Sequence, residues 1–375
     1  MNERRWTTTD FDYDLPTELI AQVPATERGD SRLLVVRRDL AVGREPASDA
    51  RVNIVQPALE RGSRADGPWL TALRDRHFTD IVELIPPGDL LVLNSTRVRH
   101  ARLLGRRPSG RPAEVLLIHP STDDTWVAIG SPGNAMKPGK RIVLAPDMAV
   151  ETIEVLDNGM RRVRFVGITA AEAMTRFGQI PLPPYIAREP TIDDDDRYQT
   201  VYAEREGSVA APTAGLHFTT ALLHAMRLRG VSVETLDLEV GPGTFRPMES
   251  GDVRTHPMHA ERFEIPVTLS GAVAACRARG GSVWSVGTTV VRALESAARD
   301  DGTIAAGRAE TRLLIAPGFR FRVVDHLVTN FHLPRSTLLM LVAAFAGHET
   351  TMAAYAHAVT ERYRFYSYGD AMVIV

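Results

Sequence analysis

Short runs of hydrophobic residues, separated by turn-forming residues, dominate the first half of the chain. The run SRLLVV at residues 31–36 predicts a buried strand, and PTELIAQ before it predicts a short helix. Between residues 88 and 167, seven further runs, among them LLVLN, EVLLIHP and RRVRFVG, are bounded by Gly, Pro, Asn and Asp. Runs of this length and spacing predict short strands joined by turns, a pattern typical of a small β-barrel.

Helical and strand patterns alternate after residue 167. AAEAMTRFG, TTALLHAMRLRG and TTVVRALESAARD have apolar positions three and four residues apart, whereas VSVETLDLEV and SVWSVG are typical of strands. This alternation indicates an α/β protein. We therefore predict a large α/β domain formed by both ends of the chain, residues 1–87 and 168–375, interrupted by an inserted small β-barrel domain at residues 88–167.

Residues 37–76 differ in composition from the sequence on either side. They are rich in Pro, Gly, Asp, Arg and Ala and have little sustained hydrophobic period. A segment of this kind supplies no continuous apolar face to bury. We expect it to be a flexible surface segment between the first strand and the block HFTDIVELIPPGD.

Composition narrows the class of protein further. The chain has 375 residues, 44% hydrophobic and 24% charged, which is ordinary globular usage. The single cysteine, Cys276, excludes an internal disulfide and a cysteine-based zinc cluster, and favours a reducing compartment, hence the cytoplasm. The longest apolar stretch, Ser336–Gly347, is shorter than the roughly 20 residues that cross a bilayer, so it predicts a buried helix and no membrane association.

Charge is balanced overall but clustered locally. The net charge of -2 argues against a globally basic nucleic-acid coat. However, RVRHARLLGRRPSGR carries six arginines between Arg97 and Arg111. Arginine is the general cation of this chain, so part of the cluster reflects that background. Six in so short a stretch exceeds it and favours contact with a polyanion.

Histidines and carboxylates offer candidate acid–base chemistry. In HPMHAERFEI, His256 and His259 lack a third ligand nearby, which disfavours a metal site. On a strand, His259 and Glu261 would lie on one face, a spacing that suits a coupled acid and base. The alternative is that His259 is an ordinary surface histidine.

Two polar loops lie where a predicted strand meets a predicted helix. VGTTVVRALES places Thr288 and Thr289 at a helix N-terminus, where free N–H groups hold anions, and Arg292 lies one turn further on. TNFHLPRSTLLM repeats the arrangement with Asn330 before Ser336. Simple helix capping would explain both loops, but two such loops at sheet ends favour a ligand crevice.

Ten blocks of sequence occur in order along nearly the whole chain, among them APTAGLHF, HPMHAERFEI, VGTTVVRALES, TNFHLPRSTLLM and RYRFYSYGDAM. Together they resemble one enzyme family, the S-adenosylmethionine:tRNA ribosyltransferase-isomerases of queuosine biosynthesis. The resemblance implies that the ribosyl part of S-adenosylmethionine is moved onto 7-aminomethyl-7-deazaguanine at the tRNA wobble position. Epoxyqueuosine then forms, and adenine and methionine leave. In the family, the segment matching residues 37–76 is usually a brief connection.

This chemistry requires several placed groups. A sulfonium acidifies the adjacent ribose 5′ carbon, so a base could start the reaction, while adenine must be helped to leave and the attacking amine must be neutral. No metal or further cofactor is needed, and a monomer is expected. Our acid–base candidates are His259 and Glu261, with His217 and His332 as alternates; our candidates for binding S-adenosylmethionine are Thr288, Thr289, Arg292, Asn330 and Ser336; those for tRNA are Arg97, Arg99, Arg102 and Tyr368.

Two other functions remain open at this point. An S-adenosylmethionine-dependent RNA methyltransferase would release S-adenosylhomocysteine, whereas ribosyl transfer releases adenine and methionine. A non-catalytic RNA-binding protein is disfavoured because most of the long motifs lie in the α/β part, away from the arginine cluster.

Overall fold

The computed structural model describes residues 5–38, 72–241, 251, 253 and 258–375. Its architecture is mixed α/β, with helices packed on both faces of a large sheet and a second sheet beside it. The predicted α/β class is therefore confirmed.

The main sheet has nine strands among the described residues. In spatial order they are β16 (Gly307–Thr311), β14 (Glu261–Ile265), β13 (Ser232–Leu238), β3 (Leu90–Asn94), β15 (Val283–Val286), β17 (His326–Asn330), β18 (Ala371–Ile374), β1 (Arg32–Val36) and β2 (Leu73–His77). The central strands β13, β3, β15 and β17 are parallel to one another. Their carboxyl ends therefore meet at one edge of the sheet.

Two hydrophobic cores lie on the two faces of the main sheet. Leu34 and Val36 of β1 pack into one core, and Leu33 and Val35 into the other. Because both of its faces are buried, β1 is apolar at every position from Leu33 to Val36, which is why it appears as a continuous run in the sequence.

The helices divide between the two faces. Helices α1 (Ile81–Leu84) and α4 (Thr220–Leu228) contribute to one core, and α5 (Val267–Ala278), α6 (Thr288–Ser296), α7 (Thr337–Ala346) and α8 (His348–Thr360) contribute to the other. Short 3-10 helices lie at Thr8–Phe11, Thr17–Leu19, Phe78–Asp80, Gly133–Ala135 and Thr213–His217. The helix predicted at PTELIAQ is thus only a single 3-10 turn.

The second sheet is antiparallel in every strand pair among the described residues. In order they are β11 (Gly178–Gln179), β5 (Arg102–Arg106), β6 (Pro112–Pro120), β7 (Trp126–Ser131), β10 (Arg161–Val166), β9 (Met148–Val155) and β8 (Arg141–Ala145). Strand β5 also pairs with β8, through Arg106 and Val143. The buried Leu103, Val115 and Ile142 belong to its own hydrophobic core.

Shorter elements connect the two sheets. Strand β4 (Thr96–Val98) pairs with β12 (Arg205–Ser208), while α2 (Ala170–Phe177) and α3 (Ile192–Arg197) follow the second sheet in the chain. Helix α2 begins at the N-cap Thr169, whose side chain accepts from the backbone N–H of Glu172.

Two predicted boundaries are wrong. The run LLVLN, assigned to the insertion at residues 88–167, is β3 and pairs with β13 and β15 in the middle of the main sheet. The surface segment predicted at residues 37–76 ends inside the main sheet, because β2 pairs with β1 from Arg32↔His77 to Val36↔Leu73. Residues 39–71, the greater part of that segment, lie outside the described residues.

No single helix among the described residues is long and apolar enough to cross a membrane. Helices α7 and α8 pass that test only as a pair, and they bend by 115° at their junction.

Candidate active site

A pocket of about 670 Å³, part of it open to solvent, lies at the sheet edge where the parallel strands end. Four stretches of chain form most of it: residues 211–214, the β15–α6 junction, the β17–α7 loop and the segment before β18. Its lining residues are Tyr185, Ala211, Pro212, Thr213, Ala214, Val240, Gly287, Thr288, Thr289, Thr329, Asn330, Phe331, His332, Leu333, Ser336, Leu338, Tyr366 and Ser367. The carboxyl edge of a parallel sheet is the usual place for a ligand crevice.

The β15–α6 junction presents a helix N-terminus to this pocket. Gly287 has a φ of 95°, a left-handed conformation that glycine adopts without strain, and it turns the chain from strand to helix. Thr288 and Thr289 then form the first turn of α6, whose backbone N–H groups have no partner within the helix. Such N–H groups favour an anionic partner; that this junction binds one stays a prediction.

The β17–α7 loop supplies His332 and Ser336. The Ser336 hydroxyl caps α7 by accepting from the N–H of Leu339 at 3.2 Å. His332 Nε2 lies 2.8 Å from Thr329 Oγ1, and its backbone N–H donates to the Tyr355 hydroxyl. Burial lowers the pKa of His332 to about 3, so the ring is neutral near pH 7.

Asn330 lines the pocket and is hydrogen-bonded to His217, which lies behind it. Asn330 Nδ2 lies 3.0 Å from His217 Nε2, and Ser31 Oγ lies 2.7 Å from His217 Nδ1. Burial, with a smaller contribution from the charges of Arg28 and Arg364, lowers the pKa of His217 to about 3. His217 itself does not line the pocket.

Two stacked tyrosines form an aromatic wall. The rings of Tyr185 and Tyr366 lie 4.5 Å apart at 22°, and the Tyr185 hydroxyl is bonded to Ser367 Oγ. Tyr366 has a φ of 70°, which is costly for a bulky residue and is typical of functional sites. Its buried hydroxyl has no hydrogen-bond partner among the described residues.

Arg292 and Glu261 form a buried ion pair outside the pocket lining. Arg292 Nη1 lies 2.5 Å from Glu261 Oε2, and Arg292 Nε donates to the carbonyl of Leu313 at 2.9 Å. Burial raises the pKa of Glu261, and the charge of Arg292 opposes that rise. The pair ties β14 to α6.

The structure corrects the strand geometry proposed for His259 and Glu261. Strand β14 begins at Glu261, so His259 precedes it, and His259 is exposed while Glu261 is buried. The period-two argument required both residues to lie within one strand. Their catalytic role stays a prediction without that geometric support.

The residues predicted to contact tRNA differ in accessibility. Arg97 is exposed and donates to the carbonyl of Ala203. Arg99 is half-buried, and its Nη2 donates to the carbonyl of Glu206. Arg102 is held between two carboxylates, at 3.0 Å from Glu114 and 2.7 Å from Glu189; its charge is therefore already compensated.

Tyr368 is not presented to solvent as a surface contact would require. It is buried, and its hydroxyl donates to Asp194 Oδ1 at 2.6 Å. Arg188 and Thr191 bond to the same carboxylate. Burial acts to raise the pKa of Asp194, but these hydrogen bonds outweigh it and the net pKa lies well below the ordinary range. Tyr368 thus belongs to a structural clamp, which corrects its assignment to a tRNA-contacting surface.

Five predicted residues meet in the pocket, and several of its residues were missed. Thr288, Thr289, Asn330, His332 and Ser336 line it together. Among the missed residues are Tyr185, Ala211, Pro212, Thr213, Ala214, Val240 and Tyr366. The blocks APTAGLHF and RYRFYSYGDAM did signal two of these segments, but no pattern in the sequence aims Tyr185 at them. Among the described residues, no group of three or more His, Cys, Asp or Glu side chains could hold a metal ion.

Comparisons with known proteins agree along almost the whole chain. A family described as "Queuosine biosynthesis protein" matches residues 8–63 and 67–374. A protein of Thiobacillus denitrificans named "S-adenosylmethionine:tRNA ribosyltransferase-isomerase" is 46% identical over 365 residues, 97% of this chain and 96% of the relative. A Thermus thermophilus protein of the same name is 46% identical over 373 residues, 97% of this chain and 98% of the relative.

A solved structure is also similar. The S-adenosylmethionine tRNA ribosyltransferase of Thermotoga maritima is 32% identical, and the alignment covers 98% of this chain and 100% of that one with a TM-score of 0.51.

Proposed function

The chain belongs to the queuosine biosynthesis protein family, and from this premise we propose that it is an S-adenosylmethionine:tRNA ribosyltransferase-isomerase. It transfers the ribosyl moiety of S-adenosylmethionine to 7-aminomethyl-7-deazaguanine at the tRNA wobble position and isomerises it. The products are epoxyqueuosine-tRNA, adenine and methionine. The observation that carries the proposal is the pocket in which four motif blocks meet: APTAGLHF, VGTTVVRALES, TNFHLPRSTLLM and RYRFYSYGDAM.

The pocket offers groups that complement the charged parts of S-adenosylmethionine. The methionine carboxylate suits the N-terminus of α6 at Thr288 and Thr289. The sulfonium suits the aromatic wall of Tyr185 and Tyr366, because the face of an aromatic ring attracts a cation.

Asn330 and Ser336 complete the proposed site. Arg292 lies outside the pocket lining, and although its buried Nη2 has no hydrogen-bond partner among the described residues, its contact with the co-substrate stays a prediction. Asn330 and Ser336 line the pocket and supply polar contacts to the neutral parts of the co-substrate.

Proton removal from the ribose 5′ carbon requires an unprotonated base in the pocket. Of the four acid–base candidates, only His332 lines it. We propose His332 as the proton acceptor because of this position. Burial keeps its ring unprotonated at neutral pH, and bound substrate must raise its low pKa for the ring to act as an effective base. His259 and Glu261 remain candidates for a later proton transfer, although neither lines the pocket.

Product analysis tests the overall reaction. Incubation with S-adenosylmethionine and tRNA bearing the aminomethyl precursor should release adenine and methionine in equal amounts. Release of S-adenosylhomocysteine would instead identify a methyltransferase and refute the proposal.

Hydrogen exchange tests the role of His332 separately. In D₂O, the enzyme should catalyse exchange of the 5′ protons of S-adenosylmethionine, and His332→Asn should lower that rate by roughly a hundredfold or more, the scale of a general base. His326→Phe is a matched control, because His326 is largely buried but lies outside the pocket lining. Undiminished exchange in His332→Asn would remove His332 from this step.

The remaining expectations follow from the same reaction. We propose that the second sheet, with its β5–β8 pairing, is the small barrel domain and that Arg97 and Arg99 beside it contact tRNA. We propose a monomer, because one chain supplies the whole described lining of the pocket. We propose a cytoplasmic location because tRNA is the substrate, and no metal because the chemistry needs only proton transfer and charge stabilisation.

A further inference from the structure

The Asn330 side chain is held in one orientation by three acceptors. Its Nδ2 lies 3.0 Å from His217 Nε2, 3.1 Å from the carbonyl oxygen of Tyr366 and 3.4 Å from that of Asp370. Rotating the amide by half a turn would bring Oδ1 against two carbonyl oxygens, which cannot donate a hydrogen bond. Nδ2 must therefore face these three groups.

The other end of this amide has no partner. Asn330 is 2% exposed, and its Oδ1 accepts no hydrogen bond from any described residue. A buried acceptor left in this state costs about 1–3 kcal/mol. Since Asn330 lines the candidate active site, Oδ1 is the atom of this amide that remains available to a ligand.

His217 is restricted to one tautomer by the same contacts. Because Asn330 Nδ2 is a donor, His217 Nε2 must carry a lone pair, and the proton of the neutral ring is on Nδ1. Nδ1 then donates to Ser31 Oγ at 2.7 Å. The ring packs 5.0 Å from that of Phe78, which limits its rotation.

We infer that His217 is a positioning residue that holds the Asn330 amide so that Oδ1 accepts a hydrogen bond from a neutral donor of S-adenosylmethionine, either a ribosyl hydroxyl or the adenine amino group. This inference rests on the proposed function. It replaces the acid–base role considered for His217 with an orienting one. The neutral donor classes agree with the pocket, because none of its described lining residues carries a charged side chain.

The tautomer is directly measurable. In protein labelled with ¹⁵N at histidine, long-range ¹H–¹⁵N spectra should show His217 protonated at Nδ1 and unprotonated at Nε2 from pH 5 to pH 8. The signals that disappear in His217→Gln assign the residue. A ring protonated at Nε2, or one that titrates in this interval, would overturn the inference.

Binding measurements test the positioning role. His217→Gln keeps an acceptor for Asn330 Nδ2 in its Oε1 and should bind S-adenosylmethionine with nearly the parent's Kd. His217→Leu removes that acceptor, and its Kd should rise about five- to tenfold, the scale of one hydrogen bond. Equal loss in both variants would indicate a merely structural role and contradict the inference. A comparison of melting temperatures identifies any loss of folded protein.

Analogues of the co-substrate identify the donor. S-adenosylmethionine lacking the 2′-hydroxyl, the 3′-hydroxyl or the adenine amino group is compared in the parent and in His217→Leu. When the missing group is the one that Asn330 recognises, the parent should bind the analogue more weakly than S-adenosylmethionine, whereas His217→Leu should bind the two almost equally. If each analogue lowered affinity by the same factor in the parent and in His217→Leu, the inference would be refuted. The proposed function is tested separately and fails if the parent releases no adenine. The tautomer and binding data do not decide that outcome.

Discussion

Arg292 Nη1 lies 2.5 Å from Glu261 Oε2, and both side chains are more than nine-tenths buried. The contact joins β14, near one side of the main sheet, to the helix whose N-terminus faces the candidate active site. Two charges removed from water in this way are costly unless each neutralises the other. The pair therefore fixes the position of α6, whatever further part Glu261 has in the reaction.

Breaking this ion pair should be far more harmful than removing it. Glu261→Gln leaves the Arg292 charge buried without a counter-ion and should lower the free energy of unfolding by about 3–5 kcal/mol. The double variant Glu261→Met with Arg292→Met should recover much of that loss, because no charge remains buried. Urea denaturation measures both.

A second pair, between Arg262 of the same strand and Glu239, is a matched control. Arg262 and Glu239 lie 2.9 Å apart but are substantially exposed, so Arg262→Gln should cost no more than about 1 kcal/mol. If Glu261→Gln were equally mild, the buried pair would not stabilise the fold. If the stable double variant kept full turnover, Glu261 would have no catalytic role.

Three histidines with strongly lowered pKa values predict a marked loss of stability in acid. Burial lowers the pKa values of His217, His326 and His332 to about 3, against about 6.5 in an unfolded chain. Between these values the unfolded state binds more protons, so the free energy of unfolding falls as pH decreases from 6.5 towards 3. Each histidine contributes a slope of up to about 1.4 kcal/mol per pH unit.

His326 allows this slope to be tested away from the candidate active site. It stacks on Trp284 with ring centres 4.1 Å apart, so His326→Phe preserves an aromatic contact. Urea midpoints at pH 5, 6 and 7 should depend less steeply on pH in this variant than in the parent. The exposed His224→Gln serves as control and should keep the parent's dependence. An unchanged slope in His326→Phe would mean that folding does not lower the pKa of His326.

Local patterns predicted the individual elements better than their partners. The run LLVLN was correctly taken as a strand, but its place in the chain, just before β4 and β5, suggested the wrong sheet. Its partners are β13 and β15, which lie far away in the sequence, and hydrophobicity alone does not say which strands pair. The antiparallel strands β5 to β10 pair mainly with neighbours in sequence, so their grouping was easier to predict.

The same distinction applies to the candidate active site. Thr288 and Asn330 could be predicted because both follow strands of a parallel sheet, whose carboxyl ends share one edge. Tyr185 could not, because it lies in irregular chain and reaches Tyr366 only through long-range packing. His259 was misjudged because the start of β14, at Glu261, could not be read from the alternation of residue types.

Arg97 and Arg99 should dominate the salt dependence of tRNA binding. Replacing Arg97 or Arg99 by Ala should reduce the slope of log K against log salt by about 0.7–0.9, because one fewer counter-ion is released. Arg102→Ala should change the slope less, since Glu114 and Glu189 already neutralise its charge. Arg308→Ala, a control on the exposed strand β16, should bind tRNA as the parent does. Parent-like slopes for both Arg97→Ala and Arg99→Ala would locate tRNA elsewhere.

Residues 39–71 should be replaceable by a short turn, because the chain on either side of them is already paired. The backbone N–H of Arg37 donates to the carbonyl of Ala72 at 2.8 Å, and Val36 is the register partner of Leu73. Replacing residues 39–71 with Asn-Gly would join β1 and β2 as a tight hairpin while keeping that hydrogen bond. Each halving of a flexible loop lowers its closure cost by only about 0.6 kcal/mol, so the melting temperature should stay near the parent's or rise slightly.

Turnover and tRNA affinity of this loop variant should also be preserved, as measured by adenine release and by filter binding. A variant that folds with the parent's melting temperature but binds tRNA weakly would show that residues 39–71 contact the nucleic acid, and a large fall in melting temperature would show that they pack against the body of the protein.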